Sequence, residues 1–182
     1  MAATHVALLR GINVGRAKRV AMADLRAVVE DLGFTGARTL LNSGNVVFAA
    51  TATTLKRGDP ATRIERALVA RAGVAARVTV LVAAEVAAIL AQNPLVREAR
   101  REPARFLVAV LRDPADRARL AALAREDWAP EAIALGPRCA YLWCPDGILD
   151  SRLVTALDRA LKDGATSRNW ATMEKLQALL AD

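Results

Sequence analysis

Residues Thr4 to Leu8 alternate into an apolar run that stops at Gly11-Ile12-Asn13-Val14-Gly15, so residues 5–10 are expected as a strand ending in a glycine-bracketed loop. Met22, Leu25, Val28, Val29 and Leu32 then fall at helical spacing, with Gly33 placed to close the helix in a left-handed cap. Residues 37–41 and 45–49 read as two short strands joined through Asn42-Ser43-Gly44, a tight hairpin signal. After a polar loop, Asp59-Pro60 starts a helix that ends at Gly73 and feeds a strand over residues 76–82. A further helix over residues 84–92 stops at Asn93-Pro94.

The second half repeats this order. Residues 105–112 form a strand, and Asp113-Pro114 opens a helix expected to run to about Arg125. Residues 131–135 and 139–144 make a hairpin through Gly136-Pro137, and Ser151 caps a helix bearing Leu153, Leu157 and Leu161. A weak extended stretch over residues 165–168 precedes a last helix with Met173, Leu176, Leu179 and Leu180. Each half therefore reads β-α-β-β-α-β-α. The predicted fold is α+β, two tandem ferredoxin-like (split βαββαβ) subdomains over residues 1–95 and 96–182, with helices covering one sheet face. The charged stretch of residues 93–103, bracketed by two prolines, is the expected boundary.

In that topology the end of the first strand and the hairpin between the second and third strands meet at one edge of the N-terminal sheet. Arg10, Asn13, Arg16 and Lys18 are thereby expected beside Ser43 and Asn45. Backbone N–H groups of a glycine-bracketed loop and a guanidinium suit an anion. The plain alternative has the glycines serving turns, the asparagines bonding loop backbone and the arginines solvated. The spacing matches neither the dinucleotide-binding fingerprint nor the phosphate-binding P-loop. A second polar cluster, Arg168-Asn169-Trp170, could present a flat hydrogen-bonding surface to a ligand. The competing reading has Asn169 or Thr172 capping the last helix and Trp170 pinning it to the sheet.

Composition narrows the chemistry. The 26 Lys and Arg against 19 Asp and Glu leave a net charge of +7, which favours anionic partners. His5 is the one histidine, placed at the start of a strand, so sites needing two imidazoles are excluded and neither a metal nor another cofactor is expected. Cys139 and Cys144 lie five apart on one predicted strand and face opposite sides, which suits buried free thiols rather than a disulfide. Aromatic residues make up 4%, and residues 37–49 contain only Phe48, so the stacking platform that lets such a sheet bind RNA is missing. No basic, apolar leader opens the chain, and no apolar run reaches the ~20 residues of a membrane span, so a cytoplasmic protein without a membrane partner is expected.

Several blocks together resemble a known family. Arg10-Gly11-Ile12-Asn13-Val14-Gly15, Leu32-Gly33-Phe34, Ser43-Gly44-Asn45-Val46-Val47-Phe48, Pro145-Asp146-Gly147-Ile148 and Arg168-Asn169-Trp170 are similar to motifs of the bacterial domain-of-unknown-function family 1697. The resemblance implies an α+β fold of two similar subdomains and carries no established activity. Arg16 stands where that family usually has a second glycine, and Ala171 replaces its usual asparagine.

The best functional expectation is a protein that binds or acts on a small phosphate- or carboxylate-bearing molecule at the edge of the N-terminal sheet. One alternative is a nucleic-acid-associated protein using Arg16, Lys18, Arg19 and Arg38 in weak, salt-sensitive contacts. Another is a structural or protein-partner module. No general base can be named, which leaves both an enzyme and a binding module open. A concave pocket would favour the first reading and a continuous basic stripe the second.

Overall fold

The computed structural model describes residues 2–15 and 18–181. The chain is an α+β protein with two four-stranded antiparallel sheets, and it divides into two compact units, residues 1–84 with 176–182 and residues 85–175.

The first unit contains β1 (Ala3–Arg10), α1 (Met22–Asp31), β2 (Thr35–Leu40), β3 (Asn45–Ala50), α2 (Ala52–Leu55), α3 (Pro60–Ala72) and β4 (Arg77–Val82), with sheet order β2-β3-β1-β4. The antiparallel β3 separates β1 from β2, pairing Leu8 with Asn45 and Leu40 with Asn45. Local chemistry sets the helix ends. Asp59 accepts a hydrogen bond from the Thr62 N–H at 2.9 Å, Pro60 occupies the first turn, and Gly73 closes α3 at φ +64°. Gly33, at φ +85°, follows α1. One sheet face, Ala7, Leu9, Val46, Phe48 and Val78, packs on Leu25, Val28 and Val29 of α1 and Ile64 and Leu68 of α3. Each large aliphatic or aromatic side chain so buried contributes roughly 1.5–3 kcal/mol.

The second unit contains α4 (Ala83–Ala91), whose first residues belong to the other unit, then α5 (Val96–Arg101), β5 (Phe106–Leu111), β6 (Ala132–Leu135), β7 (Cys139–Trp143), α6 (Arg152–Leu161), β8 (Ala165–Asn169) and the start of α7 (Trp170–Ala181). The sheet order is β6-β7-β5-β8. The Ser151 hydroxyl caps α6 by accepting from the Val154 N–H at 3.0 Å, and Leu153, Leu157 and Leu161 lie against Leu107, Ala109, Leu111, Ala140 and Leu142.

Two expectations need correction. Helices are not confined to one sheet face. In the second unit the Tyr141 hydroxyl donates to the Ile89 carbonyl of α4 at 2.7 Å, the Arg101 guanidinium of α5 stacks over Trp143, and Trp170 of α7 meets Phe106 edge-on. The cause is that every residue of β5 and β7 is buried, so these strands are apolar on both sides and both sides need cover. The segment after Asp113 also differs, forming 3-10 turns over Pro114–Leu120 and Leu123–Arg125 rather than an α-helix. Leu120 is its one fully buried side chain. Arg117 and Arg119 instead donate to the Gly136 and Ala160 carbonyls, so polar tethers rather than an apolar stripe shape the segment.

Candidate functional site

The loop after β1 is shaped by two buried anchors, Ile12 and Val20, while Val14, Gly15, Lys18 and Arg19 between them are exposed. Asn13 sits at φ +55°, a conformation asparagine tolerates better than most residues. Its amide donates to the Val20 carbonyl at 2.9 Å and to the Asn42 carbonyl at 2.8 Å, while its Oδ1 accepts from the Val20 N–H at 2.9 Å. One side chain therefore closes the loop on itself and ties it to the β2–β3 hairpin. The Asn13 N–H also donates to the Lys18 carbonyl at 3.0 Å.

The hairpin is held from the other side. The Leu9 N–H donates to the Gly44 carbonyl at 2.8 Å. A Cβ on Gly44 would lie 2.7 Å from Ile12 Cδ1 and 2.8 Å from Leu9 Cβ, and its φ is +83°. Only glycine lets the hairpin approach β1 this closely. Asn45 is fully buried, donating to the Leu40 carbonyl at 2.8 Å and to Ser43 Oγ at 3.0 Å.

The structure thus brings Arg10, Asn13, Ser43 and Asn45 to one end of the first sheet. Arg10 is half-buried at the end of β1, opposite Arg77, whose own guanidinium lies 3.8 Å from Glu65. Lys18 and Ser43 are exposed, as is Arg19; Arg16 lies outside the described residues. Backbone strain gathers here too. Of the four non-glycine residues at positive φ among the described residues, Asn13, Lys18 and Leu41 belong to these two loops. Leu41 and Val14 are also solvent-exposed apolar residues, which the sequence pattern did not single out.

Arg168, Asn169 and Trp170 lie in the second unit. Asn169 caps α7, its Oδ1 accepting from the Thr172 N–H at 2.9 Å. Trp170 is buried and donates from Nε1 to Glu174 at 2.8 Å. Arg168 is buried and donates to the Ser167 carbonyl at 2.9 Å. Desolvation lowers its guanidinium from 12.5 to about 10, which still leaves it charged at neutral pH. Arg38, on β2, donates to the Leu179 carbonyl at 2.6 Å in the last turn of α7. His5 is buried, stacks on Phe48 and bonds the Ala3 carbonyl oxygen through Nδ1. Both cysteines are buried and free. Burial pushes the Cys139 thiol up from 9.0 to about 11 and raises that of Cys144, so neither is an activated nucleophile.

Two paired-hairpin sheets with flanking helices place the chain among α+β proteins of a fold already seen in bacteria. The conserved bacterial protein SP0830 from Streptococcus pneumoniae has a similar structure, with a TM-score of 0.79 and 21% identity over 100% of both chains. The chain belongs to the family described as "Protein of unknown function (DUF1697)", which matches residues 2–141. A comparison with curated proteins finds no match. No helix among the described residues is long and apolar enough to cross a membrane.

Proposed function

We propose that this cytoplasmic protein is built of two tandem ferredoxin-like subdomains and binds a small phosphate- or carboxylate-bearing molecule at the loop end of its N-terminal sheet. The matching strand orders β2-β3-β1-β4 and β6-β7-β5-β8 support the architecture. The observation that carries the binding site is the stitching of two loops by Asn13, which holds a half-buried Arg10 and an exposed Ser43 at the same end of one sheet. Asn13 and Asn45 spend their amides on backbone and hairpin, so they act as positioning residues. Arg10, Ser43 and Lys18 are the side chains that would meet the anion.

Strain supports the same reading. Left-handed backbone at non-glycine positions costs of order 1–3 kcal/mol each and gathers at functional loops. A small ligand is favoured over nucleic acid because Arg38, needed for an extended basic stripe, is directed to the Leu179 carbonyl. The test is a thermal-shift screen of phosphorylated and carboxylate metabolites with Arg10→Ala beside an Arg117→Ala control. A charge-assisted contact contributes roughly 1.5–3 kcal/mol, so Arg10→Ala should weaken a true ligand about tenfold or more. Binders indifferent to Arg10→Ala would refute the assignment. Salt-resistant, sequence-selective binding of an oligonucleotide would favour the nucleic-acid reading instead.

A further inference from the structure

Among the described residues four large apolar side chains stand open to solvent: Val14, Leu41, Val69 and Leu149. Val69 on α3 and Leu149 in the turn before α6 lie in different units, and single exposed apolar residues of that kind are ordinary. Val14 and Leu41 differ, because two separate loops bring them to one point. Asn13, next to Val14, donates from Nδ2 to the carbonyl of Asn42, next to Leu41, at 2.8 Å. The Asn13 N–H donates to the Lys18 carbonyl at 3.0 Å. Val14, Lys18 and Leu41 therefore each lie no more than one residue from a group bonded to Asn13.

Leu41 is disfavoured where it stands on two counts. Its φ of +57° suits glycine, asparagine or aspartate and is an outlier for a bulky side chain. It is also 50% exposed, and Val14 is 72% exposed, where polar residues would be at ease. Strained backbone gathers at positions that meet ligands, and apolar surface left in water gains free energy when something covers it. The neighbouring charges decide what the cover carries. Lys18 and Arg19 are both exposed and place two positive charges on the same loop as Val14. They would repel a cation, and a bare inorganic anion would leave Val14 and Leu41 wet. An anion with an aliphatic chain satisfies both features.

We infer that the anion taken at the loop end carries an aliphatic chain: an alkyl phosphate or alkyl carboxylate whose head group lies by Lys18 and Arg19 and whose chain covers Leu41 and Val14, an assignment that rests on the anion site proposed above. Because the contact surface is formed by loop tips, the chain is only partly desolvated, and binding is weak and rapidly reversible.

The test is an amide NMR titration of the full ¹⁵N-labelled chain with two pairs of probes, methyl against butyl phosphate and acetate against pentanoate. Within each pair the head group is constant and the chain grows by three CH₂ groups. About half buried, these should tighten binding roughly tenfold in whichever pair binds, with shifts at the amides of Val14, Leu41 and Asn42. Leu41→Asn should bring the long-to-short affinity ratio toward one without lowering Tm, since asparagine tolerates the left-handed conformation. Leu149→Ser, in the second unit, should keep the ratio. Equal affinity for the long and short members would overturn the aliphatic assignment and leave the anion site standing, whereas no binding by any of the four probes would overturn both. A ratio preserved in Leu41→Asn, or a fall in its Tm, would show that Leu41 serves packing and not the ligand. Co-sedimentation with vesicles of equal parts phosphatidylcholine and phosphatidylglycerol, lost in Leu41→Asn, would assign the loop tips to a bilayer surface and overturn the soluble ligand.

Discussion

Replacing Gly44 by alanine tests whether the hairpin and the β1 loop are locked together as tightly as the geometry says. Two costs add. Holding alanine at φ +83° costs roughly 1–2 kcal/mol. Its Cβ would also stand 2.7 Å from Ile12 Cδ1 and 2.8 Å from Leu9 Cβ. Leu9 and Ile12 are both buried, so they cannot swing into solvent, and overpacking of this kind costs roughly 1–3 kcal/mol. The total is about 2–5 kcal/mol. Gly11→Ala is the natural control, because Gly11 has φ +67° but nothing within 4 Å of an added Cβ. It should cost only the conformational part, roughly 1–2 kcal/mol. Urea unfolding must be followed by far-UV circular dichroism, since Trp128, Trp143, Trp170 and Tyr141 all lie in the second unit and intrinsic fluorescence would not report on the first. Equal losses for the two variants would show that the close approach of Gly44 to β1 contributes nothing, and the account of the site as a pair of interlocked loops would fall with it.

Asn13→Ala removes three hydrogen bonds of 2.8–2.9 Å and should cost about 2–4 kcal/mol, with faster hydrogen exchange at the Val20 amide; unchanged exchange there would contradict the clamp role. Asp59→Ala should lower stability by about 1 kcal/mol through loss of the α3 cap, measured by the same urea titration, and an unchanged midpoint would show the cap to be idle. The thiols should resist a disulfide-exchange reagent in the native protein at pH 8 and react together on unfolding, because burial raises both; prompt reaction of either would place it at the surface. Cys139 also gives a pH dependence. Its folded value of about 11 lies above the ordinary thiol value of 9.0, so its contribution is intact below pH 9 and is lost as the unfolded chain alone ionises between pH 9 and 11. A Cys139→Ala variant should show a shallower alkaline loss over that window, and an identical slope would refute the linkage.

Much of the local structure was legible in residue order. Asp59-Pro60 and Gly73 bracket α3, Gly33 follows α1, and Ser151 caps α6, because these signals act through the backbone of a few neighbouring residues. The meeting of the Asn13 loop with the Ser43 hairpin was also legible, since a right-handed crossover with one strand inserted leaves little choice of neighbour. What the asparagines do there was not, because a polar side chain bonded to backbone and one offered to a ligand look alike in one dimension. The continuous apolar runs of β5 and β7 did signal cover on both sheet faces, a cue that the expectation of one-sided helices passed over.

The sequence by itself determined the order of the strands, the helix caps, the basic balance and the residues that converge at one sheet end, all consequences of periodicity and short-range bonding. Only the tertiary structure decided that Asn45 is fully buried, that Gly44 must be glycine for steric reasons, and that Asn169 and Trp170 serve α7. Those outcomes depend on contacts between residues far apart in the chain. Burial, close approach and register shift are set by how whole elements pack, and no local pattern encodes them.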